Sequence, residues 1–388
     1  MKFETLAIRL QSKRSGNKEH STAIYPTSSF VFDNAEQMRD IFSGEEEGNI
    51  YSRFTNPTCR EFEEKIAALE KMEDAMATAT GMAAVFAGFA ALLRKGDHIL
   101  VSRAVFGSTF NMMKNYLQHW GIEYTYVHPG EVDTWEQHVK PNSKMLYLET
   151  PSNPGLALVD LEKASQLCKK HNLLLNVDNC FATPYLQNPA DWGADIVIHS
   201  ATKFIDGQGR VLGGVVAANK EIIEKVHSFV RNTGPSLSPF NAWILTKSLE
   251  TLAVRMDRHC DNAEALASWL ESRGSLARVN YPFLDSHPDV AIARKQMRRG
   301  GGIVTFELEG GLKAGQEFLN ALKMLSLTAN LGDSRSIASH PASTTHARVA
   351  EEDRLAVGIT PGLIRISCGL EHIDDIIADI DSALSSIQ

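Results

Sequence analysis

Two residues near the middle of the chain, Asp178 and Lys203, each stand just beyond a short apolar run. Ile196-Val197-Ile198 is β-branched and reads as a strand buried on both faces, leading into His199-Ser200-Ala201-Thr202-Lys203. A strand spacing earlier, Asn172-Leu173-Leu174-Leu175-Asn176-Val177 stops at Asp178. Open α/β sheets bind ligands at the carboxyl ends of their strands, so an acid and a lysine at successive strand ends point into one crevice. The chemistry that needs this pair is that of pyridoxal phosphate. A lysine amine forms a Schiff base with the cofactor aldehyde, and an aspartate beside the pyridine nitrogen keeps it protonated so that the ring accepts electrons. Ser200 and Thr202 suit the phosphate oxygens. A lone Lys and Asp more often make a surface salt bridge, so the pair has to be weighed against the whole chain.

Composition bounds the classes. The chain has 388 residues, 43% of them apolar and 22% charged, which is the make-up of a globular protein of two or three domains. A net charge of −8 offers nothing to nucleic acid or an anionic membrane. Five scattered cysteines, Cys59, Cys168, Cys180, Cys260 and Cys368, form no disulfide framework and suggest reduced thiols in a cytoplasmic protein. Met1-Lys2-Phe3-Glu4-Thr5 has no apolar signal region, and no stretch is of transmembrane length.

The elements that position the pair follow in order. Residues 1 to about 50 are polar, show no long helical period, and read as a segment lying across the body or onto a partner subunit. Tyr51 and Arg53 at its end place a phenol and a planar fork of donors where an anion could be clasped; a surface Arg beside a packing Tyr is the plainer alternative. Asn56 or Thr58 caps a helix running to about Met72. A short strand at 75–79 meets Thr80-Gly81-Met82, and a helix runs on to about Leu93. Glycine at a helix N-terminus lets amides approach a phosphate, although a plain tight turn gives the same signal. The P-loop and dinucleotide glycine patterns are absent.

Strands follow at Asp97–Val101, Tyr124–Val127 and Met145–Leu148, with a helix to about His119 between the first two. Phe106 could stack on an aromatic cofactor or simply pack. Glu149-Thr150-Pro151-Ser152-Asn153-Pro154 makes a rigid turn on the crevice side, where Asn153 could bond a ring substituent. Strand and helix alternate from 75 to 220, which argues for a parallel sheet wound with helices. Helical spacing of Ala242, Leu245, Leu249 and Leu252 suggests one long helix over 240–270 joining two domains. A second α/β domain follows. In it Ile303–Phe306 is a strand, His340 and His346 lie in a polar loop, and Arg365 sits inside the apolar strand Leu363–Cys368. A half-buried Arg needs an anion, and a substrate carboxylate fits.

Taken in order, Tyr51-Ser-Arg53, Thr80-Gly81-Met82, Glu149-Thr-Pro-Ser-Asn153-Pro, Val177-Asp178-Asn179, His199-Ser200-Ala-Thr202-Lys203, His340-Pro-Ala-Ser and Arg365-Ile-Ser-Cys-Gly-Leu-Glu371 resemble the Cys/Met-metabolism family of pyridoxal-phosphate enzymes. The resemblance covers almost the whole length. It implies an α/β fold of type I among pyridoxal-phosphate enzymes, with a mainly parallel seven-stranded sheet and a smaller C-terminal α/β domain. The implied division is an arm over 1–55 that contacts a partner subunit, a cofactor domain over 56–248 and a C-terminal domain over 249–388. By resemblance, Lys203 carries the cofactor and Asp178 pairs with its ring nitrogen. Gly81, Met82, Ser200 and Thr202 hold its phosphate, joined by Tyr51 and Arg53 from a neighbouring subunit. Asn153 and Arg365 bind the substrate carboxylate or the ring oxygen, with Ser336 alongside. An obligate dimer, usually paired into a tetramer, is implied too.

Phe106 stands where many members have a stacking tyrosine, which leaves more proton transfer to Lys203 or Tyr51, and Ser108 stands where methionine γ-lyases often have cysteine. The loop Asp206-Gly-Gln-Gly-Arg210-Val-Leu-Gly-Gly resembles that of the family's O-succinylhomoserine sulfhydrylases. The expectation is therefore γ-replacement by sulfide, with the O-acetyl ester, cystathionine γ-synthesis and methionine γ-elimination as alternatives.

Overall fold

Apolar runs of five to seven residues, each closed by a polar or glycine-bearing turn, build a seven-stranded sheet. A computed structural model describes residues 1–11, 14–274, 276–347 and 350–387. The strands of the large sheet are β1 (Asp74–Thr78), β2 (His98–Ser102), β3 (Glu123–Val127), β4 (Ser143–Glu149), β5 (Leu174–Asp178), β6 (Ile196–Ser200) and β7 (Gly214–Ala218). Their spatial order is β1-β7-β6-β5-β4-β2-β3, and only β7 runs antiparallel to its neighbours. Both faces are covered. Ile99, Met145, Ile196 and Ile198 pack on the side of the helix Gly81–Ala90, while Leu100, Leu146, Val177 and Val197 pack on the side of the helix Leu161–His171.

A second sheet collects β8 (Arg278–Asn280), β9 (Ile303–Glu307), β10 (Ser326–Leu327), β11 (Ile337–Ser339) and β12 (Leu363–Ser367) in the order β10-β11-β12-β9-β8. It is antiparallel except for the β10–β11 pair. Register aligns Asn280, Thr305, Arg365 and Ser339 in one row across four of its strands. All four are buried. Its other face packs Val304, Phe306, Ile364 and Ile366 against the helices Leu252–Ser272 and Ile373–Ser386.

Several sequence expectations are refined. The helix expected to reach Met72 spans Pro57–Glu70, and its cap is Asn56, whose Oδ1 accepts from the Thr58 N–H at 2.9 Å. Thr58 is occupied elsewhere, its hydroxyl accepting from the Tyr25 N–H at 2.9 Å. The single helix expected over 240–270 is two, Pro239–Leu249 and Leu252–Ser272. At the break the Thr251 N–H donates to the Ser248 carbonyl at 3.2 Å, and the same carbonyl accepts from Arg255 at 2.9 Å. The irregular first 50 residues contain two short helices, Phe3–Arg9 and Ala35–Ser43, the second with no buried residue. The polar loop around His340 includes β11, and His340 itself is buried, bonded to Ser343 Oγ at 2.8 Å and the Pro361 carbonyl at 2.7 Å. Among the described residues no helix is long and apolar enough to cross a membrane.

Candidate active site

The carboxyl ends of β4, β5 and β6, the start of the helix Gly81–Ala90 and the edge of the small sheet enclose a cavity of about 340 Å³. Among the predicted site residues, Gly81, Met82, Phe106, Asn153, Asp178, Ser200, Thr202, Lys203 and Arg365 line it. Parallel strands deliver Asp178 and Ser200 because both are the last residues of neighbouring strands.

At one end lies an anion cradle. Thr80 caps the helix through its hydroxyl, which accepts from the Ala83 N–H at 3.1 Å. That leaves the amides of Gly81 and Met82, which have no acceptor within the helix, at its positive end. A side chain at Gly81 would put its Cβ 2.5 Å from Ser200 Cβ, so only glycine lets the turn and the β6 end approach. The Thr202 hydroxyl links across to Gly213, 3.1 Å from its N–H. This cradle has the donors and the close backbone approach that a phosphate monoester requires.

Asp178 lies half-buried beneath, accepting from the Cys180 N–H at 3.0 Å. Burial raises its carboxyl to about 6, against the pull of that hydrogen bond. A heterocyclic N–H would stabilise the anion. Lys203 donates from Nζ to Asn330 Oδ1 at 2.7 Å, and burial pushes its ammonium below the ordinary value. An amine that loses its proton readily suits both covalent attachment and proton transfer.

Arg365 is 1% exposed and has no carboxylate partner among the described ion pairs. Nη1 donates to Asn153 Oδ1 at 2.9 Å and Nη2 to the Asn330 carbonyl at 3.0 Å, while Nε has no partner. Burial lowers this guanidinium to about 10. A buried cation with an open donor is a receptor for a carboxylate.

Three predicted residues lie outside the cavity. Tyr51 is 41% exposed, and Arg53 bonds the Arg231 carbonyl and packs 4.8 Å from the Phe54 ring centroid. Within one chain these two do not meet the cradle. Ser336 is buried with its hydroxyl engaged, donating to Glu371 Oε2 at 2.8 Å and accepting from the Gly369 N–H at 2.9 Å. Sequence reasoning missed Asn330, which holds the lysine with its side chain and the arginine with its main chain. It also gave Glu149 no role of its own, although this residue shares the cavity wall with Asp178.

An anion cradle, an acid and a lysine at the strand ends of the large sheet, with a buried arginine from the small sheet facing them, fit a pyridoxal-phosphate-dependent enzyme of fold type I. The sequence profile of the family described as "Cys/Met metabolism PLP-dependent enzyme" matches residues 4–385, and the chain belongs to that family. It is 48% identical over 385 residues, 99% of this chain and 96% of the relative, to an O-succinylhomoserine sulfhydrylase of Pseudomonas aeruginosa. It is also 45% identical over 367 residues, 94% and 93% of the two chains, to an L-methionine gamma-lyase of Fusobacterium nucleatum subsp. polymorphum. A Campylobacter jejuni chain solved with N'-pyridoxyl-lysine-5'-monophosphate superposes with a TM-score of 0.96 at 33% identity, covering 99% of this chain and 100% of that one.

Proposed function

We propose that the protein is an O-succinylhomoserine sulfhydrylase, converting O-succinylhomoserine and sulfide to homocysteine and succinate. The reading is carried by the 48% identity along 385 residues to the Pseudomonas aeruginosa enzyme. Its support in the cavity is that Arg365 is the one arginine among the described lining residues. One guanidinium anchors the α-carboxylate that every candidate amino-acid substrate carries.

Pyridoxal phosphate, when bound, supplies an electron sink for the substrate carbanion. The chain's own residues do the rest. The Gly81–Met82 amides, Ser200 and Thr202 hold the phosphate, and Asp178 holds the ring nitrogen protonated. Arg365 and Asn153 take the substrate carboxylate. Lys203 Nζ removes the Cα proton and moves a proton at Cβ, so that succinate departs from Cγ and sulfide adds there. Tyr51 and Arg53 reach a neighbouring subunit's phosphate and serve a site shared in a dimer, itself paired into a tetramer. The first 55 residues act as that arm.

The test is product analysis of the purified, cofactor-loaded protein given O-succinylhomoserine with and without sulfide. Homocysteine and succinate forming together only with sulfide is the expected result. Production of 2-oxobutyrate from methionine at a higher kcat/KM would move the reading to a γ-lyase, for which the Fusobacterium relative argues. Preference for the O-acetyl ester, or cystathionine formed from cysteine, would reassign donor or nucleophile. Lys203→Ala should abolish turnover with every substrate; retained activity would sink the mechanism.

A further inference from the structure

The cavity contains a second carboxyl that the proposed chemistry does not use. Glu149 is the last residue of β4 and the register partner of Asp178, the last residue of β5. Both side chains face the same cavity from adjacent parallel strands, whose backbones lie about 4.8 Å apart. Glu149 is 6% exposed and takes part in no described ion pair. Its one described hydrogen bond is to the main chain of Phe106, whose N–H donates to Oε1 at 2.7 Å. Phe106 begins the helix Gly107–Met112 and lines the wall above.

Two carboxyls at paired register positions on one cavity wall disfavour each other's ionisation, so the environment decides which one carries the proton. The surroundings differ. Asp178 has the Cys180 N–H and, one strand over, His199; Glu149 has a single main-chain donor. The other titratable groups facing the pair are Tyr147 two residues back on β4, Cys180 after β5 and Lys203 after β6. Tyr147 and Cys180 are raised by burial and stay neutral. Burial first and Asp178 second push the Glu149 carboxyl well above the usual carboxylate range, while Asp178 rises only to about 6.

We propose that Glu149 is a positioning residue, held as the neutral acid, that ties the Phe106 main chain to the cavity wall and leaves Asp178 as the one negative charge for the cofactor's ring nitrogen. The proposal rests on the cofactor dependence of the family and is indifferent to which ester the enzyme takes. Its test therefore uses no substrate.

Wild-type protein, Glu149→Gln and Glu149→Ala are compared in the dissociation constant for pyridoxal phosphate and in the absorbance of the bound cofactor from about pH 6 to 9. Glutamine presents the same acceptor to Phe106 and is neutral. Its variant should match wild type in both readouts. Alanine removes the acceptor, leaves the half-buried Phe106 N–H unpaired and should weaken cofactor binding about tenfold. A glutamine variant whose absorbance titrates at a different pH, or which binds the cofactor about tenfold more weakly, would overturn the proposal by showing that Glu149 acts as an anion. An alanine variant indistinguishable from wild type would overturn it as well. The glutamine result decides alone should alanine prevent folding.

Discussion

Gly81 and Asn330 show how single residues set the cavity's chemistry. A methyl group at Gly81 would meet Ser200 Cβ at 2.5 Å and its Cα at 2.8 Å, so either β6 or the helix start must move. Gly81→Ala should cost about 1–3 kcal/mol of stability by overpacking and weaken phosphate binding, checked by thermal melts and cofactor dialysis. Asn330 holds Lys203 with its side chain but Arg365 with its main chain. Asn330→Ala should therefore free the lysine while leaving the carboxylate receptor intact. A fall in kcat of about tenfold with KM nearly unchanged is the expected steady-state result. Lys203, Asp178, Asn153 and Arg365 were legible in the sequence because each belongs to a strand or the turn just past one, and strand ends set the crevice. Asn330 was not. It follows a two-residue strand with no periodicity to reveal it, and its partners lie 127 and 35 residues away in sequence.

At the scale of elements, the edge of the large sheet is pinned by one imidazole. His98 of β2 bonds Ser143 Oγ on β4 at 2.7 Å and Thr125 Oγ1 on β3 at 2.9 Å. Burial lowers it to about 4, as it does His259 and His346. Each stays neutral when folded and would take a proton in the unfolded chain below about 6.5, so each lowers stability as pH falls from about 6.5 to about 4. Glu63, raised to about 7 by burial, and Asp178 keep their protons in the native state and act in the opposite sense in that window. The two kinds of group oppose each other in this window, and a variant isolates one contribution. His98→Gln should lose stability at neutral pH yet show a less acid-sensitive urea midpoint than wild type between pH values of about 4 and 6.5. Alternation from 75 to 220 made this sheet readable in advance. The break at Glu250–Thr251 was hidden because Leu245, Leu249 and Leu252 keep an apolar stripe across it and no Gly or Pro marks it. The cause lies in a tertiary contact, Arg255 reaching the Ser248 carbonyl.

The whole molecule leaves Tyr51 and Arg53 away from the cradle of their own chain, and it leaves Val31, Phe42 and Phe240 exposed. If the site is completed across a two-fold axis, two defective chains can repair each other. Arg53→Ala and Lys203→Ala homodimers should both be nearly inactive, yet mixing them through unfolding and refolding should restore roughly a quarter of the sites, since half the dimers are mixed and each has one intact site. Activity that stays absent after mixing would place Arg53 outside the partner's site.

The loop after β4 is stitched to the small sheet twice, Asn153 to Arg365 at 2.9 Å and the Gly155 carbonyl to Asn280. Both anchors belong to one row of that sheet, and Arg365 also touches Asn330, the partner of Lys203. On the proposed function, a substrate carboxylate arriving at Arg365 enters a bond network that already includes the Lys203 amine. Whatever free energy its arrival adds to or takes from the grip on the cofactor, the cofactor must return in equal measure to the carboxylate. Simple carboxylates that turn over nothing should for that reason shift the cofactor's binding curve, so that the two ligands report on each other before any bond is broken.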